Sequence, residues 1–140
     1  MGSKRAVEEG ISAGSRKRIL VVEDEKDFSE TLRRTLTREG YGVRIARSGV
    51  EALEAIEQER YDLIITDLVM PDMGGLRFVE ELRRRGFRLP VIVITGYGDR
   101  QSYDQASKLM VSEFLNKPLA MANLIQAIQR ALELGRKDLE

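Results

Sequence analysis

The chain has 140 residues, 42% of them apolar and 33% charged, with 23 basic side chains against 23 acidic ones. That is the size of one domain and the balance of a folded globular protein, without the basic excess of a nucleic-acid module. Cysteine and histidine are both absent, which excludes disulfides, thiolate or imidazole metal sites and every Ser-His or Cys-His catalytic pair.

A divalent metal would therefore have to be held by oxygens, as a hard ion such as magnesium is. The longest apolar runs, Ile19–Val22 and Val91–Ile94 among them, have four residues each, far short of the ~20 of a membrane span. No secretory h-region opens the chain. A cytoplasmic protein with no membrane contact and no direct nucleic-acid partner is expected.

Residues 1–17 mix Gly, Ser, Lys and Arg with scattered apolar residues. They read as a flexible tail, a linker from a longer protein or a cloning remnant. The alternative is a short helix around Ala6–Ile11, with Lys4, Arg5, Arg16 and Lys17 available to an acidic partner. One domain is expected over 18–135, followed by a short tail at 136–140.

From Arg18 onward, short apolar runs alternate with amphipathic stretches. Ile19–Val22, Leu63–Ile65, Val91–Ile94 and the weaker Glu113–Leu115 are nearly continuous and mostly β-branched, the pattern of strands buried on both faces. Val43–Ala46 alternates more and reads as an edge strand. Between them, Phe28, Leu32 and Leu36 make a helical stripe that Gly40 ends, and Val50, Leu53 and Ile56 make a second. Leu76, Val79 and Leu82 make a third, closed by Arg83-Arg84-Arg85 and Gly86. A less regular helix is expected around Gln101–Met110. The last carries Leu124, Ile128 and Leu132, with Gly135 as its stop.

A strand followed by a helix, five times over, specifies an α/β fold: a three-layer doubly wound (βα)5 sandwich around a five-stranded parallel sheet of order 2-1-3-4-5, flavodoxin-like in architecture. Sites in such folds lie at the carboxyl ends of the strands. Those ends carry Glu23-Asp24-Glu25, Thr66-Asp67, Thr95-Gly96 and Asn116-Lys117-Pro118. Clustered carboxylates stay ionised only with a cation among them, and magnesium fits an oxygen-only donor set. A carboxylate can also attack phosphorus and form an acyl phosphate. Such chemistry needs a nucleophile, a cation and fixed donors, roles that Asp67, the Glu23-Asp24 pair, and Thr95 with Lys117 can fill.

With these residues in place, the chain from about 18 to 134 resembles the receiver domain of bacterial response regulators in two-component, phosphorelay signalling. The resemblance rests on Ile-Leu-Val-Val-Glu-Asp-Glu at 19–25, Asp67-Leu-Val-Met-Pro-Asp-Met-Gly-Gly75, Val-Ile-Thr-Gly at 93–96 and Phe114-Leu-Asn-Lys-Pro118. It implies that Asp67 is the phosphoacceptor, charged by a histidine kinase or a histidine phosphotransfer protein. Asp24, Asp67 and the backbone carbonyl of Val69 would ligate Mg2+ (or Mn2+) directly, and Glu23 would act mainly through water. Thr95 would be the switch hydroxyl, Phe114 the switch aromatic, and Lys117 the cation that pairs with Asp67 and then with phosphate.

The resemblance further implies a cis Lys117-Pro118 bond and an output surface of helix 4, strand 5 and helix 5, read by an unknown output protein or through a phosphorylation-dependent dimer. Met70-Pro71 and Gly74-Gly75 would shape the loop after Asp67. Glu23 stands where aspartate is commoner. Gly96 leaves room beside Thr95. Met110-Val111 replaces a usual Gly-Ala and is expected to alter the loop before strand 5. Val69 and Tyr97 are expected to hinder hydrolytic water, giving slow self-dephosphorylation.

The chain is expected to be a single-domain regulator or the isolated receiver of a larger protein, such as a hybrid kinase. Other readings are a haloacid-dehalogenase-type phosphatase, which would need an acid where Val69 stands, a flavodoxin-like cofactor binder, whose phosphate Glu23-Asp24-Glu25 would repel, and a pseudo-receiver that acts only as an interaction module.

Overall fold

The computed structural model describes residues 16–70, 72–96 and 98–139. The helix considered around Ala6–Ile11, the residues Lys4 and Arg5, and Pro71 and Tyr97 lie outside the described residues. Strands and helices alternate as β1 (Arg18–Val22), α1 (Lys26–Arg38), β2 (Gly42–Ala46), α2 (Gly49–Gln58), β3 (Leu63–Thr66), α3 (Gly75–Arg84), β4 (Val91–Thr95), α4 (Arg100–Lys108), β5 (Glu113–Asn116) and α5 (Met121–Leu139). The strands pair in parallel in the order β2-β1-β3-β4-β5, which is the order expected.

The nearly unbroken apolar runs of β1, β3 and β4 follow from burial on both faces. Ile19 and Val21 point to one side, with Leu63, Ile65, Ile92 and Ile94, and pack on Leu32 and Leu36 of α1 and Leu124, Ala127, Ile128 and Ala131 of α5. Leu20 and Val22 point to the other side, with Ile64, Val91 and Val93, against α2 and α3. Edge strand β2 is half-buried except at Ala46, as its alternation foretold.

Local chemistry sets the helix ends. Glu25 caps α1 by accepting from the Phe28 N–H at 3.0 Å, and Asp99 caps α4 by accepting from Ser102 N–H at 2.7 Å. Ser48 caps α2 through Glu51 N–H, while the Asp72 carboxylate accepts from Gly49 and Val50 N–H at 3.1 and 2.9 Å. Asp72 thereby ties the loop after β3 to the start of α2. Gly40 and Gly86 follow α1 and α3 with φ of 97° and 93°, the left-handed turn that glycine takes without steric cost.

Three expectations need correction. Val50 is 49% exposed, because α2 turns Ala52, Leu53, Ala55 and Ile56 inward instead. On α3 the buried face is Phe78, Val79 and Leu82, and Leu76 stands at its margin. Helix α5 runs through Gly135 to Leu139, since one glycine costs only about 1 kcal/mol in a run of good helix formers. In the loop before β5, Met110 takes a left-handed φ of 62°, with its side chain 63% exposed.

Arg83 is one of the three cations at the end of α3. It turns inward and donates to the carbonyls of Leu109 and Phe87 at 3.0 Å, Leu89 at 2.9 Å and Met110 at 3.3 Å. It thus bolts the end of α3 to the end of α4. No described helix is long and apolar enough to cross a membrane.

Candidate functional site

The backbone ladder continues past the strands and places the site residues side by side. The Glu23 N–H donates to Ala46 O at 2.9 Å, the Asp67 N–H to Val22 O at 3.3 Å, and the Lys117 N–H to Thr95 O at 2.9 Å. Thr95 and Asn116 are paired in register. Thr95 is fully buried, and Glu23 and Asp67 are nearly so. Asp24 and Val69 face solvent.

Lys117 connects β5 to the acids. Its Nζ donates to Asp67 Oδ2 at 3.1 Å and lies 3.9 Å from Glu23 Oε1. The other Asp67 oxygen, Oδ1, accepts from Val69 N–H at 3.2 Å. Glu23 accepts from Glu25 N–H at 3.0 Å. Burial pushes the Glu23 carboxyl above the ordinary carboxylate range, while the Glu25 N–H and the Lys117 charge pull it down. A cation beside Glu23 is therefore favoured. The Lys117 ammonium also lies 4.4 Å from the centre of the Phe28 ring.

Phe114 is half-buried on β5. Its ring meets Tyr103 of α4 edge-to-face, with centroids 5.6 Å apart at 69°. The Gly98 backbone lies so close that an added Cβ would come within 2.8 Å of the Phe114 ring. At Gly96 an added Cβ would meet only the Lys117 Cβ, at 4.0 Å, so the space beside Thr95 is open, as expected. The Lys117-Pro118 peptide is cis.

The donor chemistry fits a hard divalent cation: all charged donors are carboxylates, and the most buried of them sits where a positive charge is favoured. Among the described residues, no three of these carboxylates converge into a ready-made metal group. In this conformation the positive charge beside Asp67 comes from Lys117.

The structure thus brings together Glu23, Asp67 and Lys117, with Asp24 at the rim, Thr95 beneath and Phe114 on the neighbouring strand. Phe28 was legible only as the first member of an apolar stripe. Its place three residues after the cap, where helical side chains lean back toward the N-terminus, was the available signal.

The sequence profile of the response regulator receiver domain matches residues 19–129. The response regulator protein PilR of Pseudomonas aeruginosa is 37% identical over 126 residues, covering 90% of this chain and 28% of that protein. The response regulator MprA of Mycobacterium ulcerans is 40% identical over 123 residues, covering 88% and 52%. The chain therefore spans about half, or less, of the length of these curated relatives.

Among solved structures, a CheY-like receiver domain protein from Methanospirillum hungatei JF-1 superposes with a TM-score of 0.85 at 29% identity, covering 89% of this chain and 99% of that one. The receiver domain of a signal transduction histidine kinase from Syntrophus aciditrophicus gives 0.76 at 30% identity, covering 84% and 90%. This chain is a signalling domain of the two-component type, with the flavodoxin-like α/β fold. It belongs to the response regulator receiver family.

Proposed function

We propose that this receiver accepts a phosphoryl group on Asp67 from the phosphohistidine of a histidine kinase or a histidine phosphotransfer protein, in a magnesium-dependent reaction. The phosphorylated form then controls a partner through the surface of α4, β5 and α5. The observation that carries this reading is the 3.1 Å contact between Lys117 and the buried Asp67. It places a cation against a strand-end carboxylate and holds it ready for a second anion.

An Asp67 carboxylate oxygen forms the new bond to phosphorus as the donor's P–N bond breaks, and the leaving imidazole takes the bonding pair. Lys117 is positioned to follow the charge from the carboxylate to the phosphoryl oxygens, and the Val69 N–H fixes the other carboxylate oxygen. Magnesium or manganese, held by Asp24, Asp67, the Val69 carbonyl and, through water, Glu23, would neutralise the incoming oxygens. Thr95, buried at the end of β4, supplies a hydroxyl to the product.

The rearrangement of Thr95 and Lys117 reaches Phe114 along β5, and Phe114 reaches α4 through Tyr103. A partner that binds only the shifted surface stabilises it. Val69 presents an exposed apolar side chain next to Asp67, which cannot orient a hydrolytic water. Self-dephosphorylation is accordingly slow.

The test is intact mass after incubation with a small phosphodonor, with and without magnesium, on wild type and Asp67→Asn. A magnesium-dependent gain of one phosphoryl group, absent in Asp67→Asn, supports the reading. No gain in the folded wild type replaces it with a phosphorylation-independent binding module.

A further inference from the structure

Lys117 is held on three sides. Asp67 Oδ2 accepts from it at 3.1 Å, Glu23 Oε1 stands 3.9 Å away, and the Phe28 ring covers it at 4.4 Å from the centroid. The two carboxylates attract the ammonium but do not fix where it sits between them. A flexible four-carbon stem carrying a rotating donor head has many near-equal positions. The ring removes that freedom on one side and replaces water there with a face of negative quadrupole.

The local fold sets the position of this ring: Glu25 caps α1 through the Phe28 N–H, so the helix begins immediately after the acids. Phe28 falls in its first turn, where side chains lean toward the N-terminus and hence toward Lys117. Its half-buried body packs on the face of the core that α1 and α5 share.

We propose that Phe28 is a positioning residue for phosphoryl acceptance: its ring holds the Lys117 ammonium over Asp67 before the donor arrives. This rests on the reading of Asp67 as phosphoacceptor. The reaction requires a cation at one place, where the donor's phosphoryl oxygens will come, and a preset cation avoids reorganisation at the moment of transfer. Phe28 touches no reacting atom and acts only through Lys117.

The first arm of the test uses acetyl phosphate with magnesium, in which the Asp67 O–P bond forms as the P–O bond to acetate breaks. Phe28→Leu slows the gain of mass about three- to tenfold, from the ordinary strength of a partly exposed cation–π contact. Phe28→Tyr, which keeps the ring, stays within about twofold of wild type. In a Lys117→Met background, Phe28→Leu adds no further loss. Equal slowing in both backgrounds overturns the proposal, since the ring would then act by packing alone. So does an unchanged rate in a folded Phe28→Leu.

The second arm needs neither donor nor metal. The Lys117 ε-methylene protons are shifted upfield by the ring in the NMR spectrum of wild type and Phe28→Tyr, and not in Phe28→Leu. An absent shift in wild type overturns the proposal whatever the rates. A present shift with no phosphorylation of wild type instead sinks the phosphoacceptor reading, and with it the purpose assigned to the ring.

Discussion

Gly74 and Gly75 are adjacent in sequence, yet alanine is expected to be tolerated at the first and destabilising at the second. At Gly75 an added Cβ would lie far inside contact distance of the Asp67 carbonyl oxygen and within 2.9 Å of the Asp67 carbonyl carbon and the Leu68 Cα. These are backbone atoms, so no side chain can swing away. The carbonyl is also tethered, because it accepts from the Thr66 hydroxyl at 3.0 Å, and the Gly75 N–H donates to Leu68 O at 2.8 Å. The two chains must part by about 1 Å, an overpacking cost of about 1–3 kcal/mol.

Weakening of the two hydrogen bonds adds about 1–2 kcal/mol, and the stiffer unfolded chain returns about 0.4–1 kcal/mol. Gly75→Ala therefore loses about 1–4.5 kcal/mol, lowering the urea midpoint by about 1 M or more. At Gly74 the same methyl group would lie 3.5 Å from Leu68 O, in ordinary contact and with φ of −62°. Gly74→Ala stays within about 0.5 kcal/mol of wild type. Urea unfolding followed by circular dichroism separates them. Because the displaced backbone carries Asp67, Gly75→Ala that still folds accepts phosphoryl groups about a hundredfold more slowly. Equal unfolding midpoints for the two variants would refute the reasoning.

Met110→Gly relieves the left-handed backbone at φ 62° and loses little burial, so it raises unfolding free energy by about 0.5–1 kcal/mol in urea titration. Arg83→Met strands the carbonyls of Phe87, Leu89 and Leu109, costs about 2–3 kcal/mol, and accelerates amide exchange at the end of α4. Asp72→Asn tests the cap on α2. Burial pushes the Asp72 carboxyl up, but the N–H groups of Val50 and Gly49 outweigh it and hold it below the ordinary 3.8. Its depressed folded pKa contributes stability above the unfolded pKa, lost as pH falls through the folded one. The difference in urea midpoint between wild type and Asp72→Asn is accordingly present at about pH 6 and closes as pH drops below the ordinary aspartate range.

The order of strands and helices and the residues at the strand ends were legible because both follow from pattern: continuous β-branched runs for strands buried on two faces, polar groups where those runs stop. Glu23, Asp67, Thr95 and Lys117 sit where that reading put them. What it missed depended on helix rotation and on side-chain reach. The inward face of α2 rests on Ala52 and Ala55, small residues that apolar counting undervalues, so Val50 was assigned to the core. Arg83 has the same sequence character as Arg84 and Arg85, and only the tertiary position of the α4 end distinguishes it. Phe28 fits the same apolar stripe as Leu32, and only its place three residues after the Glu25 cap sets its ring apart.

The contact between Lys117 and Asp67 joins residues 50 apart in the chain, and the strand that delivers Lys117 is the last to be synthesised. Contacts of such separation form late, after loop closure has been met elsewhere. A growing chain that extends through β3 but not to β5 carries Asp67 without its lysine. On the proposed reading, competence to accept a phosphoryl group waits until β5 docks, and a copy truncated before β5 lacks the Lys117–Asp67 charge pair.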